Sequence, residues 1–263
     1  MKNLEIRIID PKEMPEESST VIVIDVIRAF TVAAYAFAGG AKRLWLVRTV
    51  QEAFALREQE TKALLAGEVG GHLIPGFDFN NSPSLMAASD VRGRLIIQRT
   101  GAGTQGAVKS ADAKHLLICS LVNARATSLS VRRLLEASTS LELVTLLPTS
   151  SPDGTIALSE DKVCADYLEA LLKEREDAGE VVNGGIGRLR TLNRFAFLQA
   201  GDPDMPSEDI AAILDVDRFS FAMVGKRKRY GEITYVEVEK VDVNSSGCTC
   251  LSFIHAHPCS FVK

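Results

Sequence analysis

A carboxylate and a guanidinium three residues apart, Asp25 and Arg28, stand at the end of the apolar run Val21-Ile22-Val23-Ile24. Aspartate can hold a hard cation and arginine can take an anion through a two-pronged contact, so the pair suits chemistry on a small charged molecule. Other polar groups follow comparable apolar runs. Glu68 stands among glycines after Leu64-Leu65-Ala66, with Ser82 further along the same segment. Arg99, Thr100, Gly101, Gly103 and Thr104 follow Leu95-Ile96-Ile97, and Asn123 follows Leu116-Leu117-Ile118-Cys119. Beyond Leu143-Val144-Thr145-Leu146-Leu147 and a polar loop comes Ser159-Glu160-Asp161.

Each of these side chains also has a purely structural reading. Asp25 can cap the following helix, Glu160 and Asp161 can compensate a helix dipole, Arg28 can close a surface ion pair, and Glu68 can be solvated on its loop. Asn81-Ser82-Pro83 can orient a ligand or start a helix, since proline suits a first turn. The hydroxyl and glycine loop around Thr100 and Thr104 can present backbone N–H groups to phosphate or form a tight turn with no ligand. His72, in a loop, and His115, at a strand start, offer general acid–base alternatives.

Side chains this far apart in sequence meet only if the elements carrying them converge. Val21-Ile22-Val23-Ile24 reads as a buried parallel strand because the run is unbroken and β-branched, and Ala29–Ala38 as the helix that follows, closed by Gly39-Gly40. Strands at 64–66, 95–97, 116–119 and 143–147, and helices over about 124–137 and from Ser159 onward, repeat the pattern. Right-handed crossovers would bring the five strand ends to one edge of one sheet, where open α/β sheets bind ligands. Residues 173–177 end a charged helix, and Asn183-Gly184-Gly185-Ile186-Gly187 reads as a connector. A short helix with Ser207 as its N-cap precedes two alternating strands, 218–224 and 233–238. The basic residues from Lys226 to Arg229 would form the hairpin turn, either a solvated tip or a recruiter of anions. The expected architecture is a three-layer α/β/α fold with a mixed, mostly parallel sheet and a C-terminal antiparallel hairpin. It would occupy 1–243 as one α/β domain, followed by an irregular tail over 244–263.

At 263 residues the chain can bury an ample core without staples. Its net charge of −4 gives no basic field for nucleic acid, whereas a small anionic substrate needs only a local cation. The longest apolar run falls far short of the roughly 20 residues of a membrane span, and Met1-Lys2-Asn3-Leu4-Glu5 does not begin a signal peptide, so no membrane partner and a cytoplasmic setting are expected. Five cysteines, among them Cys119 and Cys164 in predicted elements, fit a reducing compartment better than a disulfide framework. Cys248, Cys250, His255, His257 and Cys259 bring thiols and imidazoles close together near the C-terminus, as a zinc site or as part of an irregular tail; their spacing matches no zinc pattern.

Four blocks in order resemble the 2-phosphosulfolactate phosphatase family. They are Ile24-Asp25-Val26-Ile27-Arg28-Ala29; Leu65-Ala66-Gly67-Glu68 with Gly76-Phe77-Asp78-Phe79-Asn80-Asn81-Ser82-Pro83; Cys119-Ser120-Leu121-Val122-Asn123-Ala124; and Ser159-Glu160-Asp161. The resemblance covers residues 21–167 and implies magnesium-dependent hydrolysis of a small phosphorylated hydroxy acid, 2-phospho-3-sulfolactate, to 3-sulfolactate and phosphate. It also implies an association with coenzyme M biosynthesis and a homodimer. One stretch departs from the family's Thr-Thr-Asn-Gly-Thr-Arg-Ala: this chain has Arg99-Thr100-Gly101-Ala102-Gly103-Thr104-Gln105-Gly106-Ala107, without the asparagine and with Gln105 for the arginine. That bears on the substrate more than on the reaction class. The alternatives are a phosphatase of another small anionic ester and a non-catalytic anion-binding protein of the same fold.

A phosphate monoester repels nucleophiles by its own charge, so its hydrolysis requires charge neutralisation and positioning. The resemblance implies Asp25, Glu68 and Asp161 as Mg²⁺ ligands and Asp25 with Arg28 as the catalytic pair. Substrate contacts are expected from Arg28, Ser82, Arg99, Thr100, Gly101, Gly103, Thr104 and Asn123. Because Ile27 breaks the Asp-x-Asp pattern of phosphatases that form an aspartyl phosphate, the expected nucleophile is a Mg²⁺-activated water.

Overall fold

The computed structural model describes residues 4–136, 142–149 and 159–243. Strand β2 (Thr20–Ile24) is buried along its whole length. Its alternate side chains divide between two cores, Val21 and Val23 entering one and Ile22 and Ile24 the other. A strand covered on both faces has no polar side to show, which is why the sequence there is an unbroken β-branched run. Helix α1 (Ala29–Ala38) is likewise apolar nearly all round, as befits a helix buried between neighbours, and it stops where Gly40 turns to φ +91°.

Three parallel strands flank β2 on its side of the sheet: β1 (Leu4–Ile8), β8 (Glu142–Pro148) and β7 (His115–Cys119). A second parallel block holds β3 (Arg43–Val47), β6 (Leu95–Arg99) and β4 (Leu64–Val69), with the short β5 (His72–Leu73) antiparallel at its edge. Between the blocks lies the hairpin of β9 (Phe221–Tyr230) and β10 (Ile233–Asp242), giving one ten-stranded sheet in the order β1-β8-β2-β7-β9-β10-β3-β6-β4-β5. The mixed sheet agrees with expectation; the route by which its strand ends converge does not. The steps β7 to β9, β9 to β10 and β10 to β3 are all antiparallel, so the two blocks run in opposite senses along the ladder. Twist resolves the conflict. Five steps separate β2 from β6, and at about 20–25° each they accumulate roughly 100–125°, leaving the two strand directions only about 55–80° apart.

Helices cover both faces. Residues of α1, α3 (Pro83–Ala87) and α4 (Gly103–Lys109) enter the core of Val21 and Val23, and α5 (Ala124–Glu136), α6 (Glu160–Leu172) and α7 (Ala178–Thr191) pack onto Ile22 and Ile24. Helix α2 (Val50–Gln59) closes a third cluster around Trp45, Leu65 and Tyr235. Asn183-Gly184-Gly185-Ile186-Gly187 proves helical, not a connector: it lies inside α7, and a Cβ on Gly185 would sit 2.5 Å from Val163 Cγ1 of α6. The glycine buys close helix contact. The basic run from Lys226 to Arg229 belongs to β9 instead of a turn, because the hairpin closes in only two residues after Tyr230, with Gly231 at φ +55°. Helix α8 (Asp209–Ile213) begins after Glu208, not at Ser207.

No helix among the described residues is long and apolar enough to cross a membrane. Cys119 and Cys164 are buried free thiols. Cys248, Cys250, His255, His257 and Cys259, and the segment 150–158, lie outside the described residues.

Candidate active site

Asp25 follows β2 directly and is 2% exposed. Its N–H donates to the Cys119 carbonyl of β7 (3.2 Å), and its Oδ1 accepts from the Ala29 N–H (2.9 Å). One oxygen thus meets the first N–H of α1, although the N-cap residue is Arg28 and not Asp25. The other faces α4 so closely that a Cβ on Gly103 would lie 2.5 Å from Oδ2 and 2.9 Å from the Ala29 Cβ. Burial, helped by the negative charges of Glu160 and Glu68, pushes the Asp25 carboxyl up to about 7, against the pull of the Ala29 and Gly103 N–H groups.

Glu68, in β4, joins two loops. Its Oε1 accepts from the Gly101 N–H (2.6 Å) and its Oε2 from the Gly71 N–H (2.8 Å). The tight β4–β5 turn is possible because Gly70 and Gly71 sit at φ +62° and +88°. Gly101 begins the stretch expected to cradle phosphate, but that loop spends its donors internally. Thr100 N–H donates to Thr104 Oγ1 (2.9 Å), Thr104 N–H to Thr100 Oγ1 (3.2 Å), and Thr104 Oγ1 donates to the Thr100 carbonyl (3.0 Å). With the Gly101 and Gly103 N–H groups turned to Glu68 and Asp25, the loop supports the carboxylates. Only Thr100 and Ala102 of it line the adjoining cavity.

That cavity, about 190 Å³, is lined by Asp25, Arg28, Glu68, Gly71, Asn81 and Thr100 together with the apolar Ile27, Ala102, Phe197 and Met205. Among the described residues Arg28 is its one cationic lining residue. Arg28 does form an ion pair, but a buried one. Nη1 meets Asp209 Oδ2 at 2.9 Å and the Asp204 carbonyl at 2.7 Å, and Nη2 reaches the Gly71 carbonyl at 3.3 Å.

The remaining predicted residues lie away from the cavity wall. Asp161 accepts from the Val26 N–H (2.7 Å) with Oδ1 and the Thr149 N–H (3.0 Å) with Oδ2, so it braces the loop behind Asp25 and does not line the cavity with Asp25 and Glu68. Among the described residues no three His, Cys, Asp or Glu side chains converge as a metal cage. Arg99 donates to the Glu68 carbonyl (2.7 Å), which holds β4, and does not line the cavity. Ser82 caps α3 and donates to Asp209 Oδ1 (2.7 Å), and Asn123 caps Ser120 N–H at 3.0 Å. Asn123 serves the local backbone, whereas Ser82 also holds the Asp209 side chain. His72 is exposed and meets Asp204 Oδ2 at 3.0 Å, and His115 begins β7. Neither lines the cavity.

A family model described as 2-phosphosulpholactate phosphatase matches residues 8–187. A Bacillus subtilis relative named as a probable 2-phosphosulfolactate phosphatase is 36% identical over 219 residues, 82% of this chain and 90% of its own. This chain belongs to the 2-phosphosulfolactate phosphatase family. Relatives with the same name come from Thermus thermophilus (38% identical; 65% of this chain, 71% of the relative) and Deinococcus radiodurans (39%; 60% and 65%). The family is one of phosphoric monoester hydrolases.

Asn81, which the sequence offered as able to orient a ligand, does line the cavity. Sequence alone missed Phe197 and Met205 among the apolar lining residues, and Asp204 and Asp209 as partners of Arg28. All four lie beyond the 8–187 match, and acidic residues at a helix start, like Asp209, give no local sign of a distant partner.

Proposed function

We propose that this protein is a Mg²⁺-dependent phosphatase converting 2-phospho-3-sulfolactate to 3-sulfolactate and phosphate in the cytoplasm, where free thiols such as Cys119 and Cys164 persist. The observation carrying this reading is a buried carboxyl, Asp25, on a small cavity that Arg28 also lines, in a chain of this family. A cavity of about 190 Å³ is below the roughly 300–1,000 Å³ of sites for drug-sized ligands, which favours a compact acid over a nucleotide.

The donor set supports a hard cation. Asp25 and Glu68 line the cavity, Glu160 adds charge nearby, and burial leaves Asp25 short of compensation. Mg²⁺ commonly takes one or two carboxylates and completes its shell with water and phosphate oxygens, so two protein ligands suffice. When bound, it would supply charge neutralisation at the phosphoryl oxygens. The chain's own groups do the rest. Asp25, pinned by the Ala29 N–H and crowded by Gly103, is held rigidly for its role. Arg28, engaged with Asp209 and not with Asp25, is free to meet the anionic group that stays on the product. Asn81 Nδ2 has no protein partner among the described residues and can donate to the ester. The walls of Phe197 and Met205 limit water around the substrate.

A second reading, the same hydrolysis on another small phosphorylated acid, is favoured by the loop from Thr100 to Gln105, which departs from the family pattern. Phosphate release from a panel of phosphorylated acids, with and without Mg²⁺, separates the two. Asp25→Ala is expected to lower kcat about 10²–10³-fold, as loss of a principal electrostatic group does. Unchanged release in that variant would move the site elsewhere, and a phosphoenzyme trapped on Asp25 would replace water as the first nucleophile. No release from any ester would leave a binding protein.

A further inference from the structure

We infer that Asp209 is a positioning residue that aims Arg28 at the substrate's non-transferred anion; the inference rests on the phosphatase reading above. A guanidinium has five N–H donors. Arg28 gives three to protein: Nη1 to Asp209 and to the Asp204 carbonyl, Nη2 to the Gly71 carbonyl. The Nε–H and the second Nη2–H have no protein partner among the described residues. Since Arg28 lines the cavity, these two donors are what it can offer a ligand.

The direction of that offer is set by Asp209. Arg28 is only three residues from Asp25, and Glu68 lies on the same cavity. An untethered guanidinium beside two carboxylates would fold onto one of them and neutralise it. Instead it pairs with a carboxylate that is wholly buried, 0% exposed, against its own 4%. Asp209 is itself anchored: its Oδ1 accepts from Ser82 Oγ (2.7 Å), Ser84 N–H (3.0 Å) and Ser84 Oγ (2.6 Å), while Oδ2 takes Arg28. Three donors on one oxygen fix the orientation of the other. Arg28 thereby spends its pairing on Asp209 and not on Asp25, which leaves its remaining donors for an anion that the substrate carries besides its phosphate. Such a substrate gains a contact there that a simple monoester cannot make.

The test compares Asp209→Asn and Ser84→Ala with the parent enzyme on 2-phospho-3-sulfolactate and on phenyl phosphate, and measures 3-sulfolactate binding by calorimetry. For Asp209→Asn, the loss of kcat/KM on 2-phospho-3-sulfolactate, which keeps a carboxylate and a sulfonate beside its phosphate, is expected to exceed that on phenyl phosphate at least tenfold, mostly through KM, and 3-sulfolactate should bind at least tenfold more weakly. Ser84→Ala keeps the ion pair and loses one anchor, so it should shift both readouts the same way by about two- to threefold. Asp209→Glu should recover part of the loss. An equal loss on both esters, or 3-sulfolactate affinity unchanged in folded Asp209→Asn or, if that variant does not fold, in Ser84→Ala, overturns the inference. A parent enzyme that binds 3-sulfolactate yet releases phosphate from neither ester refutes the hydrolase reading and leaves the Asp209 inference to the binding data; a parent that does not bind it refutes the inference itself.

Discussion

At the scale of single residues, the two carboxylates on the cavity are held by backbone N–H groups, and glycine is what lets the backbone come near enough. Gly103 is the sharpest case, since any side chain there meets Asp25 Oδ2. Gly103→Ala is expected to shift the Asp25 carboxyl by a substantial fraction of an ångström, lower kcat/KM about 10²-fold and cost about 1–3 kcal/mol of stability, because the methyl meets Asp25 and the Ala29 Cβ at 2.9 Å or less. Steady-state kinetics beside a melting curve checks it; a variant of normal activity would mean that the carboxyl position is not critical. Asp25, Arg28, Glu68 and Thr100 were legible as cavity residues from their places after apolar runs. Asp161, Arg99 and Asn123 share those places yet serve the backbone, Ser82 holds Asp209 as well, and local sequence cannot tell a carboxylate awaiting a cation from one awaiting two N–H groups. Only the partner's location, 135 residues away for Asp161 and Val26, decides it.

At the scale of elements, helices with clear ends were readable and glycine-rich ones were not. Helix α1 matches its expected bounds because an apolar segment is stopped by two glycines. Helix α7 was hidden because glycine at its middle carries the propensity of a turn, and what overrides that propensity is packing on α6. Gly185→Ala would bring a methyl to 2.5 Å from Val163 Cγ1. The expected cost is about 1–3 kcal/mol in urea unfolding, despite alanine's better helix propensity. Val163→Ala in the same chain should relieve the overlap, giving a coupling of at least about 0.5 kcal/mol in a double-mutant cycle. Additive effects would mean that the helices separate freely and that the glycines have another cause.

For the whole molecule, alternation and run length announced a sheet but not that its C-terminal hairpin lies between two parallel blocks, because strand order depends on which edges remain open after the earlier strands have paired. One consequence is a buried carboxyl, Asp25, at the cavity wall, and this sets the stability of the fold against pH. Asp25 has a folded-state value of about 7 against an ordinary 3.8, so between those values the native protein binds more protons than the unfolded chain. Stability therefore falls as pH rises from about 4 to about 7 and is level above that. The fall attributable to this group is at most about 4 kcal/mol, from roughly three pKa units at about 1.4 kcal/mol each. It is measured as the difference between the parent and Asp25→Asn, whose amide stays neutral throughout, by chemical unfolding in metal-free buffer. The variant should be the more stable of the two at pH 8 and lose that advantage at pH 4. Because a cation competes with the proton for the same oxygens, added Mg²⁺ should stabilise the parent at pH 8, do little at pH 5, and leave Asp25→Asn nearly unmoved. A parent and variant with parallel pH profiles would mean that the carboxyl is already solvated or paired, and the electrostatic case for a cation at this site would go with it.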